Sequence, residues 1–575
     1  MTRARHQGGG DRPRPAAGPG ALLATGLASG WTSLRDGWRA VREEGPGALQ
    51  FWLIALAVGI AAGAAAVAFR YAIILLQSQA YGMPDIRSLH SFATTLPWWW
   101  LLIVPTCGGL VVGLILHRFT PDGRVRSVAD VIEGAAVNEG RVEGRAGLAS
   151  AAASLVTLST GGSTGREGPV VHIAAMISTW VSDRMRADGV TGRDLLGCAV
   201  AAAVSASFNA PIAGAIFALE VVLRHYAVHA FAPIVIASVA GAVIGRTAFG
   251  NIAEFDLLDD ALNLYLELPA FLLLGLVCGL VAIAMMRAIF WTDNLATAAA
   301  RRLRLPSWAR PACAGAVLGA IAIPFPHIIG VGYETTSQAL IGGLDFWQAI
   351  VFVAVKVAAV AITMGGRMGG GVFSPSLMVG AMTGLAFGYV AVGLFPAVSS
   401  AQTLYALAGM GALAAAVLGA PISTTLIVFE LTGDWQAGLA VMVAVSTSTA
   451  LASRAVDRSF FLTQLERRGM PLAEGPQAYL LTRYTAEVLM RGRDAPDAAS
   501  AAACADLIEQ GMWLRPHDTL EVAMPIFERD GHSFLPVAER AEADAPPVLH
   551  GALFHVDALK TYNDALAATA KEEHS

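Results

Sequence analysis

The stretch Gly165-Arg166-Glu167-Gly168-Pro169 decides how the rest of the chain is read. It breaks a run of small, apolar residues: 151–159 lies upstream, and 170–181 downstream reads as a helix. Pro169 suits the first turn of that helix, where a backbone N–H has no intrahelical partner. Gly165 and Gly168 let the backbone turn sharply and approach a bound ion closely. A helix start carries about +0.5 charge and free N–H donors, so it attracts anions. Glu167 is itself an anion at such a start. An ionisable side chain at membrane depth is costly and points to function. The reading that follows is that Glu167 occupies a site which a transported anion also occupies. The competing reading is a plain helix cap near the surface.

Composition supports membrane depth. The 575 residues are 55% hydrophobic and 14% charged, with mean hydropathy +0.56. Soluble domains carry about 25% charged residues, so the chain is read as a polytopic membrane protein. A net charge of −5 gives no nucleic-acid signal. Cys107, Cys198, Cys278, Cys313 and Cys504 are scattered with no CxxC pair, which fits buried, inert thiols rather than a disulfide framework or metal site. No cofactor is expected.

Residues 1–45 carry seven Arg against four acidic residues. They lack the compact apolar core of a signal peptide and read as a tail followed by an amphipathic helix through Trp31, Leu34 and Trp38. Residues 51–77 form the first span, since about 20 apolar residues cross a bilayer. The loop 78–97 is expected outside. Residues 101–117 return, and Arg118, Arg124 and Arg126 mark the inside. The apolar stretches 146–159, 170–181 and 195–207 are short, as expected for broken helices that meet within the membrane. Non-helical backbone there is tolerated only against protein or a watery cavity.

The chain repeats itself. Asn209-Ala-Pro-Ile-Ala-Gly-Ala-Ile-Phe-Ala-Leu-Glu220 resembles Gly419-Ala-Pro-Ile-Ser-Thr-Thr-Leu-Ile-Val-Phe-Glu430. Gly165–Pro169 matches Gly371-Val372-Phe373-Ser374-Pro375 in outline at nearly the same offset. Two halves, each with a Gly-x-x-x-Pro helix start, suit inverted repeats with a site near the midplane. Backbone N–H groups of Val372 and Phe373 are the counterparts of those around Glu167. Two helix starts aimed at one point hold an anion by dipoles, weakly enough for fast release. The second half is expected to include helices over 268–289, 314–323 and 346–364. Lys356, one of three lysines, sits mid-span and reads as an internally held structural cation, with a place in an ion path as the alternative. His172 reads as a satisfied helix histidine.

On these motifs the chain resembles the CLC family of chloride channels and chloride/proton exchangers, over about residues 50–467. The resemblance rests on Gly165–Pro169, on Asn209-Ala210-Pro211, and on Gly370 to Pro375. It extends to Gly419-Ala420-Pro421, running on to Glu430-Leu431-Thr432-Gly433-Asp434. It implies an all-α homodimer of inverted-repeat halves with one anion pathway per subunit. It also implies that Glu167 is the gating glutamate, which fills the anion site when ionised and swings away when protonated. The anion would be held around Ser127, Arg166, Gly168, Val372, Phe373 and Phe461. Ser127 aligns through the shared tail Ile132-Glu133-Gly134, although the family's glycines and proline are absent around it. The family's inner proton glutamate falls at Val221, and its central tyrosine at Phe461. A phenyl ring offers bulk but no donor, and one lost hydroxyl contact costs roughly 1 kcal/mol. Without a titratable group at 221, tight chloride/proton coupling is not expected. The expected function is a gated chloride conductance or a weakly coupled exchanger, with a tightly coupled antiporter as the alternative.

The expected organisation is a cytoplasmic tail and helix (1–48), a first membrane repeat (49–250), a second (251–467) and a cytoplasmic α/β domain (468–575). That last region resembles a CBS domain. Asp518-Thr-Leu-Glu521 looks like a capping box, 533–537 and 548–554 read as strands, and 556–567 reads as a helix. A nucleotide at this tail and a purely structural packing module are the two readings. Both termini are expected inside the cell, in a bacterial inner membrane. Gly161-x-Ser163-x-Gly165 fits a serine-hydrolase elbow, but the preceding segment reads as helix rather than strand. A membrane-embedded sensor is the other remote reading. No Gly-x-x-x-x-Gly-Lys-Ser/Thr motif supports ATP-driven pumping.

Overall fold

The computed structural model describes residues 47–82, 89–226, 228–250, 264–456, 458–470, 472, 480–481, 484–540 and 547–573. The amphipathic helix expected through Trp31 and Trp38 lies outside them. The first half contains α1 (Ala48–Tyr81), α2 (Trp98–Phe119), α3 (Val128–Val137) and α4 (Gly144–Ser159). It continues with α5 (Glu167–Met185), α6 (Gly189–Phe208), α7 (Pro211–Phe217) and α8 (Val228–Phe249). The second half contains α9 (Leu264–Arg302), α10 (Ala309–Ala322), α11 (Tyr333–Leu340), α12 (Phe346–Gly365) and α13 (Phe373–Leu394). It ends with α14 (Gln402–Leu418), α15 (Pro421–Thr432), α16 (Trp435–Ala455) and α17 (Phe460–Glu466). Seven described helices are long and apolar enough to cross a bilayer, with mean hydropathies of 1.5 to 2.5. Large apolar side chains such as Leu53, Leu114, Leu280 and Trp347 stand exposed on them, as a lipid-facing surface requires.

The most buried helices are the Ala-rich α6 and α14. Small residues let neighbouring backbones close in, which is what holds helices together where apolar burial against lipid drives nothing. A methyl group at Gly241 of α8 would lie 2.2 Å from the Ala202 carbonyl of α6. One at Gly384 of α13 would lie 2.0 Å from the Tyr405 carbonyl of α14.

The two halves match torsion by torsion at their breaks. α6 ends at Asn209 (φ 57) and α14 at Gly419 (φ 68), both left-handed. The next residues, Ala210 and Ala420, take φ −127 and −130, and a proline then opens the following short helix. The repeated glutamates explain the pairing. Glu430 accepts from the N–H groups of Ile212 (3.0 Å) and Ala213 (2.7 Å) at the start of α7. Glu220 accepts from Ile422 (2.9 Å) and Ser423 (2.7 Å) at the start of α15. Each half therefore satisfies the orphan donors of the other's broken helix, a two-fold exchange. The halves differ in one respect: α7 continues as a π-turn over Ala218–Leu223, whereas α15 stays α-helical.

The C-terminal region is a small α/β unit. An antiparallel sheet in the order β1-β3-β2 is built from β1 (Arg491–Gly492), β2 (Phe534–Glu539) and β3 (Val548–Phe554). α18 (Ala501–Glu509), α19 (Leu520–Asp530) and α20 (His555–Glu573) accompany it. The capping box expected at Asp518 does not form. Thr519 is the N-cap of α19, without a side-chain cap bond. Glu521 is drawn instead into an ion pair with Arg224 at the end of the π-turn (2.7 Å). The hydroxyl of Thr519 donates to the Ala136 carbonyl of α3 at 3.3 Å, so this unit is seated on the membrane helices.

Candidate functional site

The loop before α5 and the loop before α13 meet as a miniature antiparallel ladder. Gly165 N–H donates to the Gly371 carbonyl at 2.7 Å, and Gly371 N–H donates to the Gly165 carbonyl at 2.8 Å. Threonines from both halves pin it. Thr164 donates to the Gly371 carbonyl (2.9 Å), Ser163 N–H to Thr363 (3.1 Å) and Gly369 N–H to Thr157 (3.0 Å). Glycine is required at Gly370, and Gly165 lies close against the Glu167 carboxylate. Gly370 has φ 130, and a methyl there would meet Thr164 Oγ1 at 2.0 Å. A methyl at Gly165 would meet Glu167 Oε2 at 2.3 Å.

From this crossing the two helices start alike. Arg166 (φ −85, ψ −16) precedes Glu167 in α5, and Val372 (φ −96, ψ −10) precedes Phe373 in α13. Glu167 is 4% exposed. Its Oε1 accepts a hydrogen bond from the Ser374 hydroxyl of the opposite half, and its Oε2 has no partner. The carboxylate therefore sits where the starts of α5 and α13 converge. Gly168 packs against Gly370 and Gly371. Phe373 packs its ring 4.7 Å from Phe208. The side chain of Arg166 turns away, donating to the Ser207 carbonyl (3.0 Å) and lying over the Tyr333 ring.

Cavities flank this point. One of about 230 Å³ is lined by Arg166, Tyr333, His90, His327 and Glu334. Its rim is tied by Glu334, which accepts from His90 N–H at 2.8 Å and lies 3.0 Å from His90 Nδ1. Burial, with His90 adjacent, pulls His327 down to about 4. The second cavity, about 470 Å³, reaches Ser127 and Gly370 and is walled by Phe460. By the loop order expected from the sequence, the first would face outside and the second inside. Ser127 caps α3, its N–H bound to Asp130 at 2.7 Å. Phe461 is buried with its ring edge-on to Phe460 at 5.8 Å. Val221, 5% exposed, lines a third cavity of about 460 Å³ with Glu220 and Arg224. Glu220 is committed to the cap on α15, so the carboxylate beside Val221 already has both oxygens engaged.

The remaining candidates resolve as follows. Lys356 is wholly buried and donates to the carbonyls of Ile328 (3.3 Å) and Gly330 (3.0 Å), fixing the loop that leads to α11. The histidine expected to be satisfied is not: neither ring nitrogen of buried His172 has a hydrogen-bond partner among the described residues. Ser163 Oγ is wholly buried and unpartnered, with no histidine in reach, so the hydrolase elbow is only a turn. The five cysteines are free thiols; Cys198, Cys278 and Cys504 are buried as expected, but Cys107 and Cys313 are exposed. Among the described residues no cluster of three or more His, Cys, Asp or Glu could hold a metal. Sequence reasoning missed Ser374 and the reciprocal glutamate caps. The repeat itself carried the signal for the caps, since both copies end on Glu.

Comparison with known proteins finds relatives of this sequence and this fold. The family model described as voltage gated chloride channel matches residues 108–453. A putative chloride channel protein ClcB-like from Ralstonia nicotianae is 34% identical over 419 residues, 72% of this chain and 96% of that protein. Among solved structures, a slow cyanobacterial Cl⁻/H⁺ antiporter superposes with TM-score 0.63 at 21% identity, covering 73% of this chain and 97% of that one. A eukaryotic CLC transporter superposes with TM-score 0.63 at 18% identity, covering 88% and 98%.

Proposed function

The chain belongs to the family of voltage gated chloride channels and is an integral, multi-pass membrane protein; from that premise we propose that it passes chloride through a pathway gated by Glu167. The observation that carries the reading is the position of one carboxylate at the junction of two helix starts, between an inner and an outer cavity. Ionised, Glu167 takes the partial positive charge of α5 and α13 for itself. Protonated, it loses that advantage, swings out, and a halide takes its place against the backbone at Arg166, Gly168, Val372 and Phe373. Ser127 contacts the anion from the inner side, and Phe461 contributes bulk without a donor. The unit is a homodimer with both termini inside the cell, in a bacterial inner membrane. The α/β tail, seated on α3 and the π-turn, steadies this arrangement and offers the place where a nucleotide would act.

The mode is a pH- or voltage-gated conductance or a weakly coupled exchanger. Val221 supplies no titratable group where protons would board from inside, and Glu220 beside it is held as a cap. The test uses purified protein in liposomes with chloride and pH electrodes. Chloride efflux that rises with external acid, with proton movement far below a fixed ratio, is expected. Proton pumping uphill at a constant ratio to chloride would instead establish the tightly coupled antiporter.

A further inference from the structure

The inner cavity carries more positive charge than a halide path needs. Five arginines line it: Arg124, Arg301, Arg367, Arg467 and Arg468. The acidic residue among its lining groups is Asp293, and Arg310 already neutralises it at 2.8 Å. Arg468 is paired with Asp130 (2.9 Å). Arg467 donates to the neutral amide of Asn294 (2.6 Å) and lies over the Phe290 ring. Arg367 reaches only the carbonyl of Asp122 (3.4 Å), whose carboxylate is held by Arg126 (2.7 Å). Arg124, Arg301, Arg367 and Arg467 thus face one space with no carboxylate partner among the described residues.

Arg367 adds an independent observation. It stands between Gly366 and Met368, just past the end of α12, with φ 59, left-handed. Backbone strain of this kind persists where the side chain serves a purpose. Like charges brought together without counter-charge store repulsion that a multivalent anion relieves. Guanidinium groups bind phosphate oxygens in pairs, with geometry a chloride ion cannot use. About 470 Å³ is room for a di- or triphosphate group.

We propose that this vestibule binds a phosphate-bearing polyanion, which plugs the inner mouth just below Ser127 and Gly370. The polyanion is either a soluble pyrophosphate-like group or a phosphorylated lipid headgroup. The assignment of inside and outside follows the reading above, but the binding does not depend on chloride transport.

The test is isothermal titration of the full-length protein in detergent with pyrophosphate. Saturable binding is expected, weakened about tenfold in Arg124→Gln and in Arg367→Gly. Arg367→Gly also relieves the left-handed strain, so its melting temperature should not fall while its affinity does. Absent binding, or equal binding by the wild-type protein and both variants, overturns the proposal. A second arm separates the sources. Block of chloride efflux by lumenal or external pyrophosphate in neutral-lipid liposomes assigns a soluble ligand. Block only when phosphorylated inositol lipid is included assigns a headgroup. A wild-type protein that passes no chloride even without pyrophosphate, yet binds pyrophosphate, would refute the transport reading and leave this one standing.

Discussion

The hydroxyl of Ser374 donates to the carboxylate of Glu167 across the junction of the two halves. The bond joins residues 207 positions apart in sequence, each in the first turn of a helix that starts at the Gly165–Gly371 ladder. It favours the ionised form of Glu167 in this position, because a charged acceptor gains more from a donor than a neutral one.

Replacing Ser374 by alanine removes that advantage. Hydrogen bonds to charged groups contribute about 1.5–3 kcal/mol. Ser374→Ala should therefore conduct at less acidic external pH than the wild-type protein, by about one pH unit or more. Liposome efflux measured across pH 4–8 checks the shift; an unmoved activation curve would dissociate Ser374 from the gate.

Val221 lines a cavity in which the neighbouring carboxylate is spoken for. Val221→Glu restores a titratable group there and should raise the number of protons moved per chloride. Simultaneous chloride and pH recordings measure the ratio. A variant that folds, transports chloride and still moves no more protons would show that position 221 does not limit coupling.

The reciprocal caps make a stability prediction. Glu430 holds two N–H groups at the start of α7, and Glu220 holds two at the start of α15. Glu430→Ala leaves those donors unsatisfied and should cost about 1–2 kcal/mol, read as a lower melting temperature in detergent. Glu220→Ala should cost a similar amount.

The rim of the cavity at His90 and Glu334 gives a pH dependence with a definite sign. His327 is held below its ordinary value by burial, at about 4, against about 6.5 in the unfolded chain. The unfolded state therefore takes up the proton first, and the folded state loses stability as pH falls between about 6.5 and 4. Thermal melts over that window should show the decline, and His327→Phe should flatten part of it. An equal slope in the variant would remove His327 from the effect.

Much of this was legible in the sequence because the repeat is written twice. Asn209-Ala-Pro and Gly419-Ala-Pro mark the same left-handed stop and proline start, and the structure takes nearly the same torsions at both. Gly165–Pro169 and Gly371–Pro375 mark the two helix starts for the same reason. Reading the sequence misses the spans over Val228–Phe249 and Trp435–Ala455. The Asp518 capping box failed because a partner nearly 300 positions away, Arg224, claims Glu521. Local spacing cannot register such a competitor. His172 likewise reads as satisfied from its helix alone, and only the packed structure shows both ring nitrogens buried without a partner among the described residues.

The most direct measurement is chloride efflux from liposomes containing Glu167→Gln, recorded from pH 4 to 8 beside the wild-type protein. A neutral side chain of the same shape should leave the site to the halide at every pH, giving flux that persists and no longer responds to acid, with no proton transport. A Glu167→Gln protein whose flux still rises with acid as the wild type's does would contradict the account.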